Sequence, residues 1–107
     1  MSQDATVFTD IAAEVEIPQD GTLSRVLYKD ERVRLVVFAF DAGQELTEHT
    51  ASVPAVIQVV RGRFDLTLGD EEVTADPGAW IRMPANLPHS VRALEPSVLL
   101  LTMLPGD

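Results

Sequence analysis

From Ser24 onward the chain alternates short apolar-rich runs with turn residues, and several of the runs have a period of two. This pattern predicts strands at Ser24–Tyr28, Arg32–Phe40, Glu45–His49, Ala55–Val60, Arg63–Leu68, Glu72–Thr74, Trp80–Met83, His89–Leu94 and Ser97–Leu104. Turn chemistry separates them: Asp30-Glu31, Asp41-Ala42-Gly43, Arg61-Gly62, Gly69-Asp70, Asp76-Pro77-Gly78, Pro84-Ala85-Asn86 and Glu95-Pro96. Short strands with turns this regular predict an all-β sandwich or barrel. No segment past Ser24 sustains a helical period. Residues 1–23 read differently, with one short helical turn around Asp10–Glu14, then Pro18 and Gly21. The chain thus divides into a lead-in, 1–23, and a barrel, 24–107.

Side chains on a strand alternate between its two faces, so parity orients each run. Phe64, Leu66 and Leu68 alternate with Arg63, Asp65 and Thr67, which turns the even positions inward. His89, Val91 and Ala93 share a face, which should also point inward. In a regular strand Glu45, Thr47 and His49 share a face against Leu46 and Glu48. Both histidines of the chain then lie at strand ends and converge inside one barrel. Arg32–Phe40 is apolar on both faces, with Val33, Leu35, Val37 and Ala39 on one and Val36, Phe38 and Phe40 on the other. A strand of that kind needs cover on both sides. The expectation is a homodimer packing sheet on sheet, with Phe38 taken as a contact residue. The alternative is a lead-in that folds back through Val7, Phe8 and Ile11. Trp80 has the opposite parity to Ile81 and Met83, which assigns it to an interface or a second core.

Composition narrows the function classes. In 107 residues there is no cysteine, which excludes disulfides, thiolate metal sites and cysteine nucleophiles. The formal net charge is −9, with Lys29 the only lysine. Such a balance disfavours nucleic acid and anionic membranes as partners. No apolar run approaches the ~20 residues of a membrane span. Residues 1–10 carry no basic side chain, so no secretory signal is expected and the expected compartment is the cytoplasm.

Two stretches carry a family resemblance. Gly43–Gly62, GQELTEHTASVPAVIQVVRG, resembles the first motif of the cupins, in which a glycine, five residues, His-x-His, three or four residues, Glu, six residues and a second glycine follow one another. Gly43, His49 and Gly62 match it. Gly78–His89, GAWIRMPANLPH, resembles the second motif: glycine, five residues, Pro-x-Gly, two residues, His, three residues, Asn. Gly78, Pro84 and His89 match that one. The resemblance covers roughly residues 32–103. It implies a small jelly-roll-like β-barrel of the RmlC-like cupin superfamily. In many such proteins three histidines and one glutamate hold a divalent metal inside. This chain departs from the pattern at half of the ligands. Ala51 and Ala55 stand where the second histidine and the glutamate would be, Asn86 replaces the glycine of the second motif, and Ala93 replaces the closing asparagine.

The resemblance therefore carries over only His49 and His89 as metal ligands, for a divalent transition metal such as Mn, Fe, Ni, Zn or Cu. Two imidazoles alone make a weak site, since a typical catalytic zinc keeps three protein ligands. Gln58 is a further candidate, but its parity is opposite to that of Ala55 and Ile57. Only a bulge would bring it in. The alanines leave room for an apolar pocket, expected to be lined by Thr47, Ala51, Ala55, Ile57, Val59, Met83, Val91 and Met103. Ser52 and Ser90 lack the sharp strand–turn–helix setting of a serine nucleophile. The expected function is binding of a small organic molecule inside the barrel. With a metal the resemblance implies dioxygenase-, isomerase- or lyase-like chemistry, and without one a non-catalytic binding or sensor domain.

Overall fold

The structure is a computed structural model and describes residues 4–105. Nine strands follow one 3-10 turn at Ile11–Glu14: β1 (Thr22–Lys29), β2 (Arg34–Phe40), β3 (Glu45–His49), β4 (Ala55–Arg61), β5 (Phe64–Leu68), β6 (Glu71–Ala75), β7 (Trp80–Met83), β8 (His89–Ala93) and β9 (Ser97–Met103). They form a five-stranded sheet in the order β1-β2-β9-β4-β7 and a four-stranded sheet in the order β3-β8-β5-β6. All the pairings are antiparallel. This is a jelly-roll-like double sheet.

Local chemistry sets the strand limits. β2 starts two residues later than the apolar run because Asp30 organises a turn there. Its carboxylate accepts the backbone N–H of Arg32 (2.8 Å) and of Val33 (2.9 Å), and its own N–H donates to the Val33 carbonyl (2.9 Å). β1 begins at Thr22, two residues before the expected start, because Thr22 pairs with Phe40 at the far end of β2.

The core lies between the sheets. Phe40, Ile57, Val59, Phe64, Leu66, Met83, Val91 and Leu99 are buried in it. Phe40 meets Phe64 edge-on, with ring centroids 5.3 Å apart, and so ties one sheet to the other. The expected parities of β5 and β8 agree with the burial pattern: Phe64 and Leu66 are buried, as are His89, Val91 and Ala93.

β3 differs from the regular strand. Its pairing with β8 shifts between Leu46↔Val91 and His49↔His89, three residues on β3 against two on β8. The extra residue is a β-bulge, which reverses parity along the strand. Leu46 packs against the core, while Glu45 and Thr47 lie on the outside facing Asp65, Thr67, Ser90 and Arg92. Only beyond the bulge does His49 turn towards His89.

A second apolar cluster covers the outer face of the larger sheet. Val37, Ala39, Val98 and Leu100 are buried there beneath Ile11, Val15 and Ile17 of the lead-in. The fold-back is thus made by Ile11 and the residues after it, while Val7 stays exposed. Arg25 fastens the turn to β1, its Nη1 donating to the Glu14 carbonyl at 2.8 Å. Phe38, taken above as a contact residue, points the other way. It stacks on Phe40 at 6.2 Å and packs against the inner core.

Candidate functional site

The two histidines face one another across the β3–β8 pair. Their ring centroids are 4.2 Å apart, with the planes tilted by 58°. His89 is buried and His49 is exposed, so the pair spans the rim of the sandwich. Each Nδ1 lies 2.9 Å from a backbone carbonyl two residues earlier, Thr47 for His49 and Leu87 for His89. A carbonyl oxygen can only accept, so each Nδ1 carries the proton and donates it. The two Nε2 atoms remain as lone-pair donors or proton acceptors.

Below the pair lies a small cavity of about 30 Å³, walled by Phe38, Leu46, Ile57, Val91, Leu99 and Leu101 together with both histidines. It has room for on the order of one or two waters. Of the residues expected to line a pocket, Ile57 and Val91 are in this wall. Ala55, Val59 and Met83 are buried in the core beside it, and Met103 is half-buried against the same core. Ala51 sits in the loop between β3 and β4, where its carbonyl accepts the Asn86 N–H at 2.7 Å. Thr47 lies outside, sent there by the bulge. Phe38, Leu46, Leu99 and Leu101 were not among the expected lining residues. Phe38 was expected at a dimer contact, and the structure instead places it in the wall of this cavity.

The donor set does not fit the metal arrangement that the motif resemblance implies. Among the described residues no three histidine, cysteine or acidic side chains are grouped to hold an ion. Gln58 is exposed, on the outer face of β4 opposite Trp80. Two imidazole nitrogens are what this chain offers.

Backbone geometry supports the two motifs independently of the histidines. Gly43, Gly62 and Gly78 all have positive φ. Asn86, at the position of the second motif's inner glycine, has φ +67, a left-handed conformation that asparagine tolerates better than most residues.

Residues 36–104 match the family model described as "Cupin domain". The chain belongs to the cupin family. Among solved structures, a conserved protein of unknown function from Streptococcus pyogenes is 32% identical to this cupin, with a TM-score of 0.85 over 99% of this chain and 92% of the other. An RmlC-like cupin from Desulfovibrio desulfuricans is 25% identical, with a TM-score of 0.78 over 100% of both chains. A cupin superfamily protein from Desulfitobacterium hafniense shares the fold at 20% identity, with a TM-score of 0.85 over 100% of this chain and 95% of the other. A search of the curated proteins finds no match. Among the described residues no helix is long and apolar enough to cross a membrane.

Proposed function

We propose that this cupin binds a small organic molecule at the rim of the sandwich, with the Nε2 atoms of His49 and His89 as its polar anchors and the apolar wall beneath them as its seat. The observation that carries this reading is the pair itself: two imidazoles 4.2 Å apart, each oriented by a carbonyl on Nδ1 and each with Nε2 left over. An apolar concavity with a few convergent polar groups is what a small-molecule site needs. The cavity is small, so most of the ligand lies in the mouth and only a short apolar part goes below the histidines. A thermal-shift screen of small organic molecules tests this. A ligand at a hundred times its Kd should stabilise the folded chain by about 2.7 kcal/mol. The reading requires that the His49→Ala/His89→Ala variant lose this stabilisation. Hits that stabilise parent and variant equally would refute it.

A second reading has its own observation. Nδ1 held by a carbonyl and Nε2 left open is the usual setting of a metal-ligating histidine. On this reading the two Nε2 atoms hold a divalent transition metal weakly, and water and the organic ligand supply its other donors. Restoring the missing family ligands with Ala51→His and Ala55→Glu should then raise affinity for Mn, Ni or Zn by at least about tenfold, as measured by calorimetric titration against the parent. Equal affinities in the two proteins would show that positions 51 and 55 do not reach the pair.

We also propose a homodimer. Its support is no longer β2, whose outer face the lead-in covers, but Trp80, which is 61% exposed on the edge strand β7.

A further inference from the structure

The inner face of the larger sheet ends in a cation, Arg34, whose Nε has no hydrogen-bond partner among the described residues. Arg34 opens β2 and shares its face with Val36, Phe38 and Phe40, so its side chain belongs to the interior side. It is half-buried, and its Nε is buried without any hydrogen-bond partner. A buried unsatisfied donor is costly, and more so on a charged group.

The pairing register places this group at the histidine end of the sandwich. Phe40 meets Phe64, which is paired with Ala93. From that row β8 runs through Val91 to His89, while β2 runs through Phe38 and Val36 to Arg34. Phe38, Val91 and both histidines wall the same cavity, as does Leu101, the partner of Val36. Arg34 is one step further along β2, toward the same end of the sandwich. Opposite it on β1, in direct cross-strand register and hence on the same face, is Lys29. Like charges directly opposite one another destabilise a sheet. In a chain of net charge −9, the only lysine and a half-buried arginine stand opposite one another on β1 and β2.

The acidic groups nearby do not neutralise them. Asp30, next to Lys29, is engaged by the Tyr28 hydroxyl at 2.7 Å and by two backbone N–H groups. Glu71 closes the His49–His89–Leu68 row and is exposed. The ion pairs found among the described residues, Arg25 with Glu14 and Arg63 with Asp76, involve neither cation.

We propose that the mouth of this cupin takes an organic carboxylate, with Arg34 as its charged anchor, Lys29 beside it and the two histidine rings against its carbon chain. The inference rests on the ligand site proposed above and names the class of ligand. A guanidinium suits it because its N–H groups can meet both oxygens of a carboxylate. The apolar wall takes the ligand's short carbon chain.

The test uses butyrate and its neutral isostere butyramide as probes, followed by NMR at the imidazole signals of both histidines and at the Arg34 Nε–H. Butyrate should shift all three sets and bind at least about tenfold more tightly than butyramide. Arg34→Met should abolish that preference and raise the melting temperature of the ligand-free protein by a few degrees by removing the orphaned donor. A merely structural arginine would lower it. Lys29→Gln, an exposed change on an edge strand, should weaken butyrate alone and serves if Arg34→Met does not fold. Equal binding of the two probes, with no effect of either variant, overturns the carboxylate proposal but leaves the site in place. If neither probe moves the histidine signals, the site itself is wrong.

Discussion

Gly62 closes the first motif at φ +82, and a Cβ there would meet the Ser97 side chain and lie 2.6 Å from the Pro96 carbonyl oxygen. Ser97 cannot yield, because it is fully buried and its Oγ accepts the Arg63 N–H at 3.0 Å and donates to the Glu95 carbonyl at 2.6 Å. Gly78 has a similar φ of +96 but nothing within 4 Å of where its Cβ would be. Gly62→Ala should therefore cost about 3 kcal/mol or more, and Gly78→Ala only the backbone strain of about 1–2 kcal/mol. Urea unfolding of the two variants measures the difference. Equal losses would mean that the β4–β5 turn gives way without strain. Two exposed carboxylates give a pH dependence at the same scale. The Tyr28 hydroxyl, then the Arg32 and Val33 N–H groups, hold Asp30 below the usual carboxylate range. The Asp20 and Ala42 N–H groups do the same for Asp41. Both return to about 3.8 on unfolding, so the stability they contribute is present above that pH and is lost as the pH falls through their folded values. The melting temperature should fall on acidification below pH ~4, and Asp41→Asn should flatten that limb. A limb unchanged in the variant would remove Asp41 from the account.

At the scale of elements, two segments do what a strand pattern alone does not imply. The bulge in β3 lets one strand put Leu46 into the core and still deliver His49 to His89. The lead-in acts as the outer layer of the larger sheet: Asp41 accepts the Asp20 N–H at 2.7 Å and donates its own N–H to the Gly21 carbonyl at 3.0 Å, which fixes where the chain enters β1. Ile17→Ser should then lower stability by about 1–2 kcal/mol through lost contact with Val37, Ala39, Val98 and Leu100. Phe38→Asp should unfold the chain, since it would place a carboxylate against Phe40 in the core. Chemical denaturation of both distinguishes this layering from its reverse. A harmless Phe38→Asp would place that ring outside.

For the whole molecule, the open question is what covers Trp80. It lies on the outer side of the short edge strand β7, in the same cross-strand row as Gln58 and Leu100, on the part of the sheet away from β1. A twofold partner is the simplest cover for an edge of this kind, because the same patch then serves both sides. Light scattering at micromolar concentration should give about twice the chain mass of 11.7 kDa, and Trp80→Ser should return it to the monomer value. A parent protein at 11.7 kDa sinks the dimer.

The strands are legible along the chain alone, because turn residues and period-two alternation act over a few residues. The inward faces of β5 and β8 are legible for the same reason, and with them the inward His89. Counting along the two motifs located the two histidines, the absent ligands at Ala51 and Ala55, and Asn86 at a glycine position. Tertiary structure decided what depends on register and on filling space between distant segments. A bulge is a mismatch between two strands, so neither strand alone reveals it, and with it went the placing of Thr47. Cavity size depends on which side chains meet across the sandwich, and Phe38, Leu46, Leu99 and Leu101 meet there. The two-faced apolar pattern of β2 demanded cover, but only packing showed that Ile11, Val15 and Ile17 provide it. In the sequence Lys29 and Arg34 are two cations among scattered charges. Antiparallel pairing of β1 with β2 sets them side by side, since register is a property of two strands and not of either one.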